Sequence, residues 1–318
     1  MGLFDLSVPE LKEYKGRNPR PDDFDLYWDR AIDEMRAINP APTLKKAFRN
    51  PTFDCFDLTF TSVGGARIYA KYVCPKDKRQ LPVVLHFHGY TGASPEWSEL
   101  FQLASMGWAV AAMDVRGQGG KSMDNGSVRG NTLHGHIIRG LDEENPDQLL
   151  FRNIFLDTAM LARVVSTFPE TDETRLAAIG GSQGGGLSLA CAALANIKLC
   201  APRYPFLSDY QRVWELDLAT EAYAELQEYF RHFDPTHSRE KEIFTKLGYI
   251  DIEFLMPRVK AQVRMYTGLM DTICPPSTQF AAFNKITSPK SVIFYPDFAH
   301  EYLPGAMDDT ISWFLYEL

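Results

Sequence analysis

The stretch from Arg175 to Ala195, RLAAIGGSQGGGLSLACAALA, constrains the fold more than any other part of the chain. A short apolar run, Leu176 to Ile179, leads into a glycine cluster that holds one serine, Ser182, and the apolar remainder favours a helix. Such a uniformly apolar run is typical of a strand that is buried on both faces of a sheet. Gly180 to Gly184 therefore form a GxSxG pentapeptide between a predicted strand and a predicted helix, which is the context of a nucleophile elbow.

The glycines around the serine have a physical reason at such an elbow. The sharp turn forces the serine into a strained backbone conformation and brings neighbouring chain too close for side chains. The free N–H groups and positive dipole end of the following helix point to the same place and suit a developing oxyanion. A glycine-rich turn that only caps a buried helix would contain the same five residues, so the pentapeptide alone leaves both interpretations open.

Length and composition are those of one domain with one large core. The chain has 318 residues, of which 45% are hydrophobic, and we predict a single domain over residues 1–318. A net charge of -8 and a pI near 5.4 argue against a nucleic-acid partner or an anionic membrane surface. The chain has no apolar run of about 18 residues, and its first residues, MGLFD, are too acidic for a signal peptide, so we expect a cytoplasmic protein.

The five cysteines show neither CxxC nor Cys/His spacing, so they predict neither a disulfide framework nor a zinc site. We expect them to be reduced and mostly buried. Cys274 lies near a predicted site residue, but we prefer a packing role for it over a role in activity. We predict no metal site and no cofactor. The five are Cys55, Cys74, Cys191, Cys200 and Cys274.

The predicted elements follow one another as in a doubly wound α/β fold. Residues 1–50 form an N-terminal extension with one amphipathic helix at Phe24 to Ile38, on which Tyr27, Ala31 and Met35 share a face. After a β-hairpin, short apolar strands alternate with helices, which predicts a mostly parallel sheet. The segment from about 208 to 259 is helical without strand signals, and we interpret it as an insert. The predicted strands after the hairpin are Leu81–Phe87, Trp108–Met113, Leu176–Ile179, Lys198–Ala201, Gln262–Tyr266 and Ser291–Tyr295, followed by a final helix, Met307–Tyr316.

Two further loops carry acid–base side chains. Ligand sites in an open α/β sheet lie beyond the carboxyl ends of the strands. Asp271 and His300 each follow a predicted strand there, so Ser182, Asp271 and His300 occur in the chain order of the α/β-hydrolase fold. An imidazole, with a reference pKa of about 6.5, can accept the proton of a serine hydroxyl, which is the role we predict for His300. Asp271 would orient the ring and stabilise the imidazolium.

An oxyanion needs two N–H donors as well. Gln183, in the elbow, supplies one from its backbone, and the loop after the Leu81–Phe87 strand is expected to supply the other, from Tyr90. Each donor of this kind contributes about 3 to 4 kcal/mol to transition-state stabilisation. The donor geometry therefore matters as much as the base.

Other polar residues near these loops have competing interpretations. Asp297 is an alternative acid but lies too close in sequence to His300, and Asp251 and Glu253 are alternatives in the helical insert. The RGQGG segment that begins at Arg116 lacks the glycine spacing of a nucleotide motif, and we interpret it as a structural corner of the site rim. For the nearby histidines we also prefer a role in structural hydrogen bonding, because the sequence offers no third ligand for a metal ion. These histidines are His86, His88, His134 and His136.

Several motifs together resemble the acetyl xylan esterase and cephalosporin C deacetylase family of carbohydrate esterases. They are HGY at 88–90, RGQGG at 116–120, GGSQGGG at 180–186, GLMDTICPPST at 268–278 and HE at 300–301. The match runs along nearly the whole chain, from the opening LFDLSVPELKEYKG. The resemblance implies an α/β-hydrolase fold, the triad Ser182, Asp271 and His300, and oxyanion donors at Tyr90 and Gln183.

The resemblance also implies removal of acetyl groups from xylo-oligosaccharides and related small acetyl esters. We expect Tyr90, Tyr204 and Pro205 to contact that substrate. An intracellular, metal-independent homohexamer is implied too, with active sites that open into a central cavity, and the loop 121–150 and the hairpin edge are the expected subunit contacts. The loop 124–136 and the insert region 217–239 look individual to this chain, which bears on substrate preference and assembly.

The sequence therefore predicts a serine esterase that acts through an acetyl-enzyme on Ser182. A general short-chain carboxylesterase would prefer longer acyl chains. A peptidase of the same fold would cleave amides and usually carries a large additional domain, for which 318 residues leave little room. A non-catalytic binding module would have no need for all three triad residues and both donor loops.

Overall fold

The protein, described by a computed structural model over residues 4–127 and 136–318, is built on a nine-stranded sheet with helices on both faces. In space the strands follow the order β1-β2-β3-β5-β4-β6-β7-β8-β9. Their bounds are β1 Thr43–Phe48, β2 Phe53–Thr61, β3 Arg67–Pro75, β4 Leu81–Phe87, β5 Ala109–Met113, β6 Thr171–Gly181, β7 Leu199–Arg203, β8 Gln262–Gly268 and β9 Lys290–Tyr295.

The helices lie between and around these strands. Their bounds are α1 Val8–Glu13, α2 Phe24–Ala37, α3 Trp97–Ala104, α4 Leu150–Val165, α5 Gln183–Leu194, α6 Tyr210–Glu215, α7 Ala224–Phe233, α8 Glu240–Leu247, α9 Ile252–Leu255, α10 Pro276–Lys285 and α11 Ala306–Glu317. Among the described residues, no helix combines the length and the apolarity needed to cross a membrane.

The sheet is mixed, and its parallel part carries the site. The strands β1, β2, β3 and β5 pair antiparallel, whereas β5, β4 and the strands from β6 to β9 pair parallel. The carboxyl ends of β4, β6, β7, β8 and β9 therefore meet at one edge. The predicted doubly wound, mostly parallel α/β-hydrolase sheet is confirmed.

Two apolar layers cover the sheet, and strand alternation decides which residue enters which layer. In β4, Val83, Leu85 and Phe87 pack into the larger layer with α2, α4, α5 and the segment from α6 to α10. Val84 points the other way, into the layer formed with α3 and α11. In α2 the face predicted from the sequence is buried, since Tyr27, Ala31 and Met35 are at most 3% exposed.

Two strands, β1 and β6, differ most from the sequence prediction. The strand β1 lies inside the predicted N-terminal extension and pairs with β2, for example Leu44 with Leu58. All six of its residues are exposed, so neither face of the strand packs against the core. Its sequence therefore lacks the alternation of apolar and polar positions that would predict a strand. The strand β6 begins already at Thr171, before the predicted start at Leu176, because Thr171 pairs with Leu81 of β4.

The predicted helical insert is helical in the structure, where α6, α7, α8 and α9 follow one another. All five cysteines are free and buried, as expected. Residues 128–135 of the loop 121–150, including His134, lie outside the described residues.

Candidate active site

The serine of the pentapeptide occupies the sharp turn between β6 and α5. Ser182 has φ 57° and ψ −122°, a conformation that only the surrounding structure can hold for a residue with a side chain. Its N–H donates to the carbonyl of Arg203 at 3.0 Å, and its own carbonyl accepts from Phe206 N–H at 3.0 Å. These bonds fix the turn against the segment that follows β7.

The glycines of the elbow are required by close backbone approach. A Cβ at Gly184 would lie 2.0 Å from the carbonyl oxygen of Phe87, and one at Gly186 would lie 2.3 Å from that of Phe206. Both contacts are with main-chain atoms, which cannot move aside. The first brings the start of α5 against the end of β4, where the second donor loop begins.

The predicted acid, base and nucleophile form one hydrogen-bonded chain. His300 Nε2 lies 3.0 Å from Ser182 Oγ, and His300 Nδ1 lies 2.8 Å from Asp271 Oδ2. Asp271 is fully buried. Its other oxygen accepts the N–H groups of Ile273 at 2.9 Å and Cys274 at 2.8 Å. These two bonds hold the carboxylate in place, so that it orients the imidazole with the proton on Nδ1 and leaves Nε2 free to accept.

The alternative acids are engaged elsewhere. Asp251 accepts the N–H groups of Asp209 at 2.8 Å and Glu253 at 3.0 Å, at the start of α9. Glu253 forms an ion pair with Lys285. Burial raises the pKa of both carboxyls, that of Glu253 to about 8. Neither carboxyl contacts His300.

The two predicted oxyanion donors lie at the ends of α5 and β4. Gln183 is the first residue of α5, where N–H groups have no partner within the helix. Its buried side chain forms a reciprocal amide pair with Gln118, at 2.6 and 2.9 Å, which ties the elbow to the RGQGG segment. Tyr90 lies three residues beyond β4, and its hydroxyl donates to the carboxyl of Glu225 on α7.

Sequence reasoning did not anticipate Glu225. The residue is 4% exposed, and its second oxygen accepts the N–H groups of Ile137 at 2.7 Å and Ile138 at 3.2 Å. It therefore joins the insert, the loop before α4 and the loop that carries Tyr90. A single glutamate in a charged helical segment gives no sequence signal, because its partners are remote in the chain.

The RGQGG segment is anchored by a buried ion pair. Both nitrogens Nε and Nη2 of Arg116 donate to Asp157 at 2.6 Å, and the two side chains are 2% and 0% exposed. This ion pair supports the interpretation of the RGQGG segment as a structural corner of the site rim.

The histidines on and after β4 differ in their contacts. His88 accepts the N–H of Val115 at Nε2, at 3.0 Å, and its Nδ1 lies 2.7 Å from the carbonyl of Gly89, so it is a structural loop residue as predicted. His136 lies 3.0 Å from the carbonyl of Gly117. The Nδ1 of His86, in contrast, is buried with no hydrogen-bond partner among the described residues.

A cleft of about 350 Å³ opens over the serine. Tyr204, whose ring centroid lies 4.7 Å from that of His300, forms part of its wall. Pro205 is buried and packs against the start of α5 instead, with its Cα 3.1 Å from the Cβ position of Gly185. A larger cavity, of about 680 Å³, lies against α8 and shares no residue with this cleft, so size alone does not mark the site. The cleft is lined by His86, Phe87, His88, Gly89, Ala93, Pro95, Glu99, Gly181, Ser182, Arg203, Tyr204 and His300.

Cys274 is the one cysteine at the site. The donor atoms of Asp271, Cys274 and His300 lie within 4.8 Å of one another, which in principle suits a metal ion. The carboxylate and both ring nitrogens, however, already take part in the hydrogen-bonded chain described above. Burial, with the nearby Asp271 charge, raises the pKa of the Cys274 thiol, so it stays protonated and is a poor ligand.

The sheet and the loops at its carboxyl edge define the chain as an α/β hydrolase. The more particular identity follows from comparison with known proteins. The family model of acetyl xylan esterase (AXE1) matches residues 1–318, the whole chain. The chain belongs to this family, and the resemblance noted in the sequence is confirmed.

Solved structures of similar proteins agree with this. Acetyl xylan esterase 1 from Thermoanaerobacterium sp. JW/SL YS485 is 54% identical, with a TM-score of 0.96 over 98% of this chain and 99% of that chain. An acetyl xylan esterase from Paenibacillus sp. R4 is 34% identical, with a TM-score of 0.93 over 98% of this chain and 100% of that chain.

A curated relative is the acetyl esterase Axe7A of Xylanibacter ruminicola, 27% identical over 303 residues and 91% of this chain. This chain spans only 65% of the length of that protein.

Proposed function

We propose that this chain is a serine esterase that removes acetyl groups from acetylated xylo-oligosaccharides and other small acetyl esters, including cephalosporin C. The observation that carries the proposal is the hydrogen-bonded chain from Asp271 through His300 to Ser182, at 2.8 and 3.0 Å. Membership of the acetyl xylan esterase family supports the acetyl ester as the substrate.

The reaction follows from this geometry in two halves. Ser182 Oγ attacks the acetyl carbonyl carbon while its proton moves to His300 Nε2, and the N–H groups of Gln183 and Tyr90 stabilise the negative oxygen. The bond to the alcohol then breaks, and His300 returns the proton to the departing oxygen. A water molecule, deprotonated by His300, cleaves the resulting acetyl-enzyme, releases acetate and restores Ser182.

The deciding experiment compares wild-type protein with Ser182→Ala on acetylated xylo-oligosaccharide and on p-nitrophenyl esters of increasing acyl length. We expect hydrolysis that depends on Ser182, a sharp preference for acetyl, and turnover of the sugar acetate. Preference for longer acyl chains would favour a general short-chain carboxylesterase. Hydrolysis at the wild-type rate by Ser182→Ala would contradict the mechanism, and no hydrolysis by the wild type would favour a binding module.

Trapping the intermediate tests the mechanism separately. Acid quenching during turnover of p-nitrophenyl acetate, followed by mass spectrometry of the peptide that contains Ser182, is expected to show one added acetyl group. The Ser182→Ala protein provides the matched control, because it can bind the ester but has no hydroxyl to acylate.

Two predictions concern the whole protein. The homohexamer and the cytoplasmic location stay predictions, and light scattering coupled to size exclusion tests the first. Contact through the hairpin edge is supported by β1, an edge strand whose Leu44 and Phe48 are 42% and 45% exposed. A monomer at working concentration would contradict the assembly without affecting the proposed chemistry.

A further inference from the structure

The cleft beside the serine has a polar wall that the reaction does not use. Alternation along the strands directs His86 and Arg203 to the face of the sheet that carries α3 and α11, since Val84 and Ala201, two residues earlier, pack into that layer. Between their strands lies β6, in which Ile179 pairs with His86 and Gly181 pairs with Arg203. Gly181 has no side chain, and the ring of Tyr204 lies over it, 3.2 Å from the position that a Cβ would take.

Two side chains of this wall, those of Arg203 and His86, have polar atoms without protein partners. Within residues 4–127 and 136–318, the partly exposed guanidinium of Arg203 forms no ion pair and no hydrogen bond. The Nδ1 of His86 is likewise buried without a partner. Buried polar atoms in folded proteins are nearly always paired, so the unpaired His86 nitrogen is unusual, and the unpaired Arg203 guanidinium at this cleft leaves donors for a ligand. Glu99, at the start of α3, adds an exposed carboxylate to the same cleft, and one of its oxygens accepts the N–H of Glu96 at 3.2 Å.

The chemistry of the wall favours a neutral polyol over an anion. Arg203 offers only donors and Glu99 only acceptors, and their charges are opposite. Burial and the Arg203 charge lower the pKa of His86 to about 3, so its ring is neutral at working pH and offers one donor and one acceptor. Sugar hydroxyls donate and accept together, and they match such a mixed set better than a carboxylate does.

We propose that His86, Glu99 and Arg203 form the subsite that binds the sugar hydroxyls of the alcohol half of the ester. The inference rests on the proposed function for the position of the acetyl group on Ser182. The cleft contains Ser182 and His300 as well as these three residues, so an ester bound there places its alcohol half against the polar wall. Arg203 would act as a specificity residue, since its link to Ser182 is through its main-chain carbonyl and persists in side-chain variants.

The test compares kcat/KM for acetylated xylobiose with kcat/KM for p-nitrophenyl acetate, whose flat alcohol half has no hydroxyls to bind. In Arg203→Met we expect the ratio of these two kcat/KM values to fall by about 10- to 100-fold, because charge-assisted hydrogen bonds to the sugar are lost. Arg203→Lys keeps the positive charge but loses the planar guanidinium group, which can form two parallel hydrogen bonds, so an intermediate ratio is expected. Arg79→Met, in the exposed turn before β4 at the opposite end of that strand, is the matched control.

A second measurement separates this proposal from the proposed function. Xylobiose is expected to inhibit hydrolysis of p-nitrophenyl acetate competitively in the wild type, and more weakly in Arg203→Met. Inhibition without turnover of any sugar acetate would support the subsite and overturn the proposed substrate. Turnover of acetylated xylobiose with the same ratio in wild type and Arg203→Met, within about twofold, would overturn the subsite and leave the function standing.

The charge of the ligand is tested by acetylsalicylate and phenyl acetate, which differ by one carboxylate. One outcome is that Arg203→Met changes the ratio of kcat/KM for acetylsalicylate to that for phenyl acetate and leaves the ratio for acetylated xylobiose and p-nitrophenyl acetate unchanged. In that case the wall binds anions and the assignment to a polyol is wrong. An unchanged ratio for this pair, with a lowered xylobiose ratio, supports the polyol.

Discussion

The hydroxyl of Tyr90 donates a hydrogen bond to the carboxyl group of Glu225, which lies 135 positions later in the chain. The same carboxyl accepts two backbone N–H groups, from Ile137 and Ile138. The loop that carries Tyr90, the proposed oxyanion donor, is therefore held by the helical insert as well as by its connection to β4. The insert therefore positions the residue that we propose as an oxyanion donor.

Glu225→Ala is expected to lower kcat for p-nitrophenyl acetate by about 10- to 100-fold, because a displaced donor loop stabilises the oxyanion less. KM is expected to change much less, since the oxyanion forms only in the transition state. Glu228→Ala, one turn later on α7, is the matched control. Equal effects of the two substitutions would show that Glu225 has no special role in positioning Tyr90.

The titration of Glu225 predicts a pH-dependent stability. Burial raises its pKa from 4.5 to about 7, so the folded protein favours the protonated carboxyl. The stability that this contributes is fully present below about pH 4.5 and is lost as the pH rises through about 7, a change on the order of 3 kcal/mol. Glu221, Glu228 and His136 line the same small cavity as Tyr90 and Glu225, and they are present in both proteins compared below.

Thermal unfolding of wild type and Glu225→Gln between pH 5 and 8 measures this difference. The glutamine keeps an acceptor for the two N–H groups but carries no charge, so its advantage over the wild type is expected to grow as the pH rises. Parallel curves of Tm against pH would contradict the raised pKa.

The buried pair of Arg116 and Asp157 predicts a large stability effect. Asp157→Ala leaves a guanidinium that is 2% exposed without its carboxylate, and we expect the free energy of unfolding to fall by about 3 to 5 kcal/mol. Urea unfolding measures the loss. Asp25→Ala, which breaks the exposed pair with Arg20, is expected to cost less than about 1 kcal/mol. Similar losses of unfolding free energy in the two variants would refute the structural role of the Arg116–Asp157 pair.

Burial of the cysteines predicts that their reactivity differs between the native and the unfolded protein. All five cysteines are free and buried, and burial raises the pKa of Cys274 beside the serine. We expect an aqueous thiol reagent to modify none of them in the native protein and all five after denaturation. Rapid loss of activity on treatment of the native protein, prevented in Cys274→Ala, would show that Cys274 is accessible.

Much of this protein is determined locally in the sequence. Each parallel strand contains a short apolar run, and Ser182, Asp271 and His300 each lie in the loop that follows such a run. Strand ends in a parallel sheet meet at one edge, so the local pattern was enough to predict that these three lie together. The elbow glycines were predictable for the same reason, since they lie next to the serine.

Other features were decided only by the tertiary structure. The edge strand β1 is exposed on all six residues, and pairing with β2, not hydrophobic patterning, makes it a strand. Glu225 meets Tyr90, and His86 faces Arg203 across Gly181, through contacts between segments far apart in the chain. Periodicity describes only how a segment presents its own side chains. Which distant segment covers them is decided by the packing of the whole chain, so these contacts became visible only in the folded structure.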